Sequence, residues 1–312
     1  MELLIALARR SRIFAFLLLA RAHFLVGGIL LYALGVAVAR AEGFPIDLGL
    51  ALVGQIGVTA VQLMTHFSNE YFDYESDRAI RNPTPFSGGS RMLTEGLFPR
   101  ELARRLSLGA LTVSLAAVLY LFFVLGMGPL ALAIYAIGIA VGWTYSAPPI
   151  RLVARGVGEM ASATTVAFLV PAAAYALQTG RVDTPLVLAA LPLVVLLLGM
   201  TLTVHLPDYR ADLRSGKRNL VVRLGPDRAA LAYGTILGGA YLIALAEVPL
   251  GLPLEVFLLL LLTLPLTALN LAAFRFGFHT RPERFLPLAT GGIALFLAAA
   301  GLETAAFALL VA

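Results

Sequence analysis

Residues 106–150 read LSLGALTVSLAAVLYLFFVLGMGPLALAIYAIGIAVGWTYSAPPI and contain no charged side chain. A helix needs roughly 20 apolar residues to cross a ~30 Å hydrocarbon core, so this run is too long for one crossing and holds two. Gly126, Gly128 and Pro129 supply the break. The pattern repeats outward in both directions. Ala22–Ala39 and Leu48–Asn69 precede the run, and Met160–Gly180, Thr184–Pro207, Ala229–Ala246, Val256–Phe274 and Phe285–Leu302 follow it. An apolar tail continues past Glu303. The first apolar run is followed by span after span, which reads as a first crossing and not as a cleavable leader. The expected fold is all-α: a polytopic membrane protein with nine transmembrane helices in one bundle, forming a single domain over residues 1–312.

Composition agrees. The chain is 60% hydrophobic and only 13% charged, about half the charged share of a soluble domain, with a mean hydropathy of +0.89. That surface excludes soluble enzymes, nucleic-acid readers and disordered chains. The absence of cysteine excludes disulfides, thiolate nucleophiles and Cys-ligated metals. The net charge of +5 is explained by location. Arg9, Arg10, Arg12 and Arg21 precede span 1. Arg78, Arg81, Arg91, Arg100, Arg104 and Arg105 follow span 2, and Arg151 and Arg155 follow span 4. Arg210, Arg214, Lys217, Arg218, Arg223 and Arg228 follow span 6, and Arg275, Arg281 and Arg284 follow span 8. With nine spans, all but Arg40 and Arg181 of the 23 Lys and Arg fall on one side. The positive-inside rule makes that side, and the N-terminus, cytoplasmic. The plasma membrane is the expected location, and membrane lipid the expected surroundings.

Two loops on the basic side carry chemistry. His66-Phe-Ser-Asn69-Glu-Tyr-Phe-Asp73-Tyr-Glu-Ser-Asp77 follows span 2, and His205-Leu-Pro-Asp208-Tyr-Arg-Ala-Asp212 follows span 6. Both contain His-x-x-Asn/Asp-x-x-x-Asp, as an internal duplication would. Residues four apart share a helix face, about 6 Å per step along the axis. Asn69, Asp73 and Asp77 thus form one stripe, and Asp208 and Asp212 another. One such stripe alone reads as solvated loop carboxylates. Two, each at the end of a span and each with an upstream His, read as a Mg²⁺–diphosphate clamp, because Mg²⁺ takes carboxylate and phosphate oxygens together. Lys217, with Arg214 and Arg218, stands beside the second stripe to neutralise phosphate charge. His66 and His205 suit packing or hydrogen bonding inside the bundle, since hard Mg²⁺ favours oxygen. In Trp143-Thr-Tyr145-Ser-Ala-Pro148-Pro149-Ile-Arg151, the prolines end span 4. Two readings are open to Tyr145: its ring face stabilises a carbocation, or it anchors the helix at the interface. Gly88 and Gly89 mark a tight loop near the site.

These residues resemble the UbiA superfamily of intramembrane prenyltransferases. The family pattern is Asn-x-x-x-Asp-x-x-x-Asp after the second helix and Asp-x-x-x-Asp after the sixth. Asn69, Asp73 and Asp77 match the first motif and Asp208 and Asp212 the second, Lys217 matches the basic residue after it, and Arg21 resembles an Arg at the start of the first helix. Tyr145 and Arg151 match a Tyr-Ser-x-Pro-Pro-x-Arg/Lys segment. The segments Ser87–Gly96, Arg155–Glu159 and Gly216–Gly225 are similar to those of 1,4-dihydroxy-2-naphthoate polyprenyltransferases of menaquinone biosynthesis. Two departures bear on the acceptor: the first motif lacks an extra Gly-x before its last Asp, and Asn219 stands where Thr is usual.

The resemblance implies Mg²⁺ as cofactor, held by Asn69, Asp73, Asp77, Asp208 and Asp212. It implies a polyprenyl diphosphate and an aromatic acceptor as substrates, with no nucleic acid and no obligate protein partner. The carboxylates, Lys217 and Tyr145 are the catalytic candidates. Arg21, Asn69, Arg91 and Arg151 are the substrate-binding ones, Arg91 and Arg151 being open equally to holding an acceptor carboxylate or to an ordinary positive-inside role. The same chemistry on 4-hydroxybenzoate or on a prenylated glycerol phosphate is the near alternative. A secondary transporter is the remote one, and it calls for ionisable groups near the middle of the membrane, where these spans have none.

Overall fold

In the computed structural model, which describes residues 1–80 and 82–310, the apolar run at 106–150 is two helices, Arg100–Phe123 and Pro129–Ser146. Gly126 turns between them in the left-handed region, φ +71. Pro129 takes the first position of the second helix, where an N–H would have no partner anyway. Arg81, counted above among the basic residues, lies outside the described residues.

In chain order the crossings are α1 Ala22–Ala41, α2 Leu48–Phe72, α3 Arg100–Phe123, α4 Pro129–Ser146, α5 Gly158–Thr179, α6 Thr184–His205, α7 Pro226–Leu250, α8 Leu254–Leu261 with Leu264–Arg275, and α9 Phe285–Leu309. Eight are single helices long and apolar enough to span a membrane, and the bent α8 makes a ninth among the described residues. The all-α membrane fold read from the sequence is the fold observed. α2 packs along α3 and α4, α1 against α5 and α9, and α6 against α7 and α9. Small residues permit close approach: a Cβ on Gly35 would fall on the Pro171 carbonyl, so α1 and α5 meet backbone to backbone.

The structure departs from the sequence reading, or adds to it, in three places. Val256–Phe274 was expected as one helix, but it breaks at Leu262 and Thr263 with a 42° bend. Pro265 is the cause: it has no N–H for the Leu261 carbonyl, and its ring crowds that oxygen. Hydroxyls cluster at the break, with Thr263 Oγ1 donating to the Leu260 carbonyl at 2.6 Å and Tyr241 Oη 2.6 Å from both Thr263 and Thr267 Oγ1. Second, α7 runs past its expected end at Ala246, and α9 takes Glu303 and the apolar tail beyond it into the helix. They therefore bury Glu247 and Glu303, which have carboxylate oxygens without hydrogen-bond partners. Third, the basic N-terminal segment is two helices, Glu2–Arg10 and Arg12–Leu19, joined at Ser11, whose hydroxyl accepts from Phe14 N. Their Ala8, Ala15 and Leu19 bury against Phe67, Met92 and Ala103, so this hairpin braces the end of the bundle that carries the motifs.

Candidate active site

The first stripe outlives its helix. α2 ends at Phe72, yet Asp73 N still donates to the Asn69 carbonyl and Asp77 N to the Asp73 carbonyl, each at 2.9 Å. The short helix Tyr74–Arg78 keeps the register, and Asn69, Asp73 and Asp77 stay on one face. The second stripe repeats the device beyond α6: Asp212 N donates to the Asp208 carbonyl at 2.9 Å, leading into the helix Tyr209–Arg214.

Lys217 joins the two. It is buried, and its Nζ lies 3.2 Å from Asp73 Oδ2 and 3.3 Å from Asp212 Oδ1. Burial alone would lower its affinity for a proton, but Asp73 and Asp212, then Asp77 and Asp208, hold it above its ordinary range. Asn219 Nδ2 donates to Asp212 Oδ2 at 2.6 Å. Gly88 N donates to Asp208 Oδ2 at 3.1 Å, while Asp208 Oδ1 is buried without a partner. Burial first, then the neighbouring Asp212 charge, pushes Asp208 up to about 7. Asp77 is also raised, by burial and then by Glu70 and Asp73. Carboxylates that are costly to ionise where they stand are those that gain most from an added cation.

The four substrate-binding candidates divide. Asn69 and Arg21 line the same cavity as the carboxylates. Arg21 donates to Glu70 Oε1 through Nε at 2.8 Å and Nη2 at 2.6 Å. Arg151 reaches the site from outside the cavity wall, with Nη2 3.4 Å from Asp73 Oδ1. Arg91 is turned under the first stripe: its Nη1 donates to the Asp77 carbonyl at 2.7 Å, and its Nη2 lies 3.5 Å from Glu95. Among the described residues the three non-glycine positions with left-handed backbone are Arg21 (φ 49), Arg91 (φ 71) and Arg151 (φ 48). Such backbone costs roughly 1–3 kcal/mol and clusters at functional sites.

The cavity has a volume of about 480 Å³. Its mouth holds Asp73, Asp77, Asp208, Asp212 and Lys217, with Tyr145 from the last turn of α4 beside them. Deeper, the wall is mostly apolar: Val58, Ile134, Val141, Val170, Leu197 and Phe296 come from α2, α4, α5, α6 and α9, with Gln62, Thr165 and Thr201 among them. A charged mouth over an apolar shaft suits a ligand with an anionic head and a hydrocarbon tail. For Mg²⁺, the observation that bears on fit is Asp208 Oδ1, a buried hard oxygen with no donor, in a cavity that Asn69, Asp73, Asp77 and Asp212 also line. Among the described residues no three His, Asp or Glu converge as a metal cage. Mg²⁺ shared with a phosphate needs only one or two protein oxygens per ion.

The histidines serve structure. His66 Nδ1 is 3.0 Å from the Ala20 carbonyl, and His205 Nδ1 is 3.4 Å from Glu159 Oε1. Three contributors were not among the site candidates read from the sequence. Glu70, next to Asn69, lies off the four-residue stripe, yet it accepts from Arg21 and from Ser90 N and Oγ, both at 2.7 Å. Glu159, in the first turn of α5, accepts from Leu220 N at 2.5 Å and so ties down the loop that presents Lys217. Asn219 holds Asp212. The available signal was a pair of glutamates beside apolar runs with no evident partner in sequence.

Comparison with known proteins gives the family and the fold. The profile of the UbiA prenyltransferase family matches residues 29–288. A 1,4-dihydroxy-2-naphthoate octaprenyltransferase from Bacillus subtilis (strain 168) is 22% identical over 226 residues, 72% of this chain and 70% of the relative. A UbiA homologue from Archaeoglobus fulgidus, solved with GPP and Mg²⁺, shares the fold with a TM-score of 0.62 at 17% identity, over 93% of this chain and 99% of that one. The apo UbiA homologue from Aeropyrum pernix K1 gives a TM-score of 0.69 at 18% identity, over 92% and 98%.

Proposed function

This chain belongs to the UbiA prenyltransferase family, and on that footing we propose that it carries out Mg²⁺-dependent transfer of a polyprenyl group to 1,4-dihydroxy-2-naphthoate, on the cytoplasmic side of the plasma membrane. One observation carries the reading: two carboxylate stripes meet across Lys217 at the mouth of an apolar shaft. The diphosphate sits at the mouth and the tail runs into the shaft. Asn69, Asp73, Asp77, Asp208 and Asp212 would supply the oxygens that hold Mg²⁺, and the ion, when bound, would neutralise the diphosphate and ease its departure. Lys217 and Arg21 take up the charge of the leaving group. The bond between the prenyl carbon and the diphosphate oxygen breaks with both electrons on oxygen. The Tyr145 ring faces the allylic cation that remains, and the apolar wall keeps water from it. The ring carbon bearing the acceptor's carboxylate supplies an electron pair to the cation, and the carboxylate leaves as carbon dioxide.

The acceptor rests on the segments around Ser87, Arg155 and Lys217 and on the name of the Bacillus subtilis relative. Incubation of the purified protein with a polyprenyl diphosphate, Mg²⁺ and a panel of acceptors, read by mass spectrometry, tests it. The expected product is a prenylated, decarboxylated naphthoquinol, absent when a chelator is in excess. Prenylation of 4-hydroxybenzoate or of a prenylated glycerol phosphate, with none of the naphthoate, would replace the acceptor and keep the chemistry.

A further inference from the structure

We infer that Glu70 is a positioning residue for prenyl transfer: it fixes the Arg21 guanidinium and the Gly88–Ser90 loop in one frame, so that a cation and both carboxylate stripes face the same diphosphate. This rests on the prenyltransferase reading above. Glu70 is 3% exposed, and a carboxylate that far from water is tolerated only with donors on its oxygens. It has four contacts. Arg21 Nε and Nη2 reach Oε1 at 2.8 and 2.6 Å, Ser90 N reaches Oε1 at 2.7 Å, and Ser90 Oγ reaches Oε2 at 2.7 Å. These donors come from two places far apart in sequence. Arg21 stands at the start of α1, held in left-handed backbone. Ser90 closes the loop whose Gly88 N donates to Asp208 and whose Gly89 packs against the Asp77 carboxylate. One side chain therefore couples α1, the first stripe and the second stripe. Glu70 lies outside the cavity lining while Arg21 lies in it, so Glu70 acts through Arg21 and the loop and not on substrate.

The geometry also separates Glu70 from a plain structural salt bridge. An Arg–Glu pair whose only task is to hold helices together could face anywhere. This one involves an arginine that lines the same cavity as Asp73 and Asp77, with its fork fixed by Nε and Nη2 on one oxygen. Removing the charge while keeping the shape frees that fork and leaves Ser90 Oγ facing an amide.

The test is a double-mutant cycle with two readouts: binding of inorganic pyrophosphate in the presence of Mg²⁺, by titration calorimetry, and KM and kcat for the prenyl diphosphate. Glu70→Gln is expected to weaken pyrophosphate about 10- to 100-fold, the usual cost of losing a group that orients a ligand-binding residue. It should raise KM by a similar factor, with partial recovery in Glu70→Asp. In an Arg21→Ala background the same change should cost clearly less than in the wild type, because one of the two partners through which it acts is gone. Ser90→Ala removes one of the four contacts with little risk to folding and should show a smaller shift in the same direction. Glu70→Gln with unaltered pyrophosphate affinity and KM would overturn the inference, as would effects of Glu70→Gln and Arg21→Ala that simply add. If the wild-type protein binds pyrophosphate but transfers to no acceptor, the acceptor proposal fails while the binding cycle still decides the role of Glu70.

Discussion

At the scale of single residues, the site depends on how close the loop after α2 comes to the first stripe. Gly89 and Gly96 both have left-handed backbone, at φ +69 and +71, so an alanine at either incurs a similar backbone cost of about 1–2 kcal/mol. They differ in surroundings. A Cβ on Gly89 lands on the Asp77 carboxylate, while one on Gly96 meets nothing within 4 Å. Gly96→Ala should therefore lower thermal stability slightly and leave transfer near wild type. Gly89→Ala should lower stability by a similar amount and also cut kcat several-fold, because Asp77 must move. Equal activity in the two variants would show that Asp77 tolerates displacement. Asp208→Asn is the sharper change. It removes the one stripe carboxylate with a buried oxygen lacking a donor, and kcat should fall roughly 100- to 1,000-fold, as when a key electrostatic group is lost. Stopped-time assays on detergent-purified protein would measure both.

At the scale of elements, the sequence announces whatever depends on local periodicity. The run from Leu106 to Ile150, the break at Gly126 and Pro129, and the stripes at Asn69–Asp77 and Asp208–Asp212 are all visible in spacing alone, and the structure keeps them on the elements where spacing puts them. What escaped depends on contacts distant in sequence. Nothing near Glu70 reveals that Arg21 and Ser90 will meet it, and nothing near Glu159 reveals Leu220. Nor does the stretch after Ala246 show that α7 continues over Glu247, since a lone Glu reads as a helix end until packing covers it. α8 is the instructive failure: an uncharged run scores as a straight span, and only Pro265 argues otherwise. The bend is held by hydroxyls, with Tyr241 Oη 2.6 Å from Thr263 and from Thr267, both buried. Tyr241→Phe leaves those two hydroxyls with only backbone carbonyls to bond. The change should cost about 1 kcal/mol, typical of an interhelical hydrogen bond within a membrane bundle, read as a lower midpoint of thermal unfolding in detergent. An unchanged midpoint would mean that packing alone sets the bend.

For the whole molecule, the shared active site requires the ends of α2 and α6 to lie on the same face of the membrane, which the four crossings α3 to α6 provide, and α7 to α9 complete a count of nine. The broken α8 is the weak point of that count, because a bent pair of helices either crosses or turns back. Charge decides between the two. Arg275, Arg281 and Arg284 follow α8, and if α8 turned back they would join Arg40 and Arg181 on the sparsely basic face, against the positive-inside bias. The chain has no cysteine, so single cysteines report without background. Ser215, Arg105 and Thr184 are exposed. Cysteines at Ser215 and Arg105 should react with an impermeant maleimide only from the cytoplasmic side, in inverted vesicles and not in intact cells. A cysteine at Thr184, at the start of α6, should react in intact cells. One at His279, just beyond α8, should follow Ser215 if α8 crosses and Thr184 if it re-enters. Labelling of Ser215 and Arg105 from opposite faces would separate the two stripes and remove the clamp. Labelling of His279 with Thr184 would leave the clamp intact, make α8 a re-entrant loop and put the end of α9 on the other side.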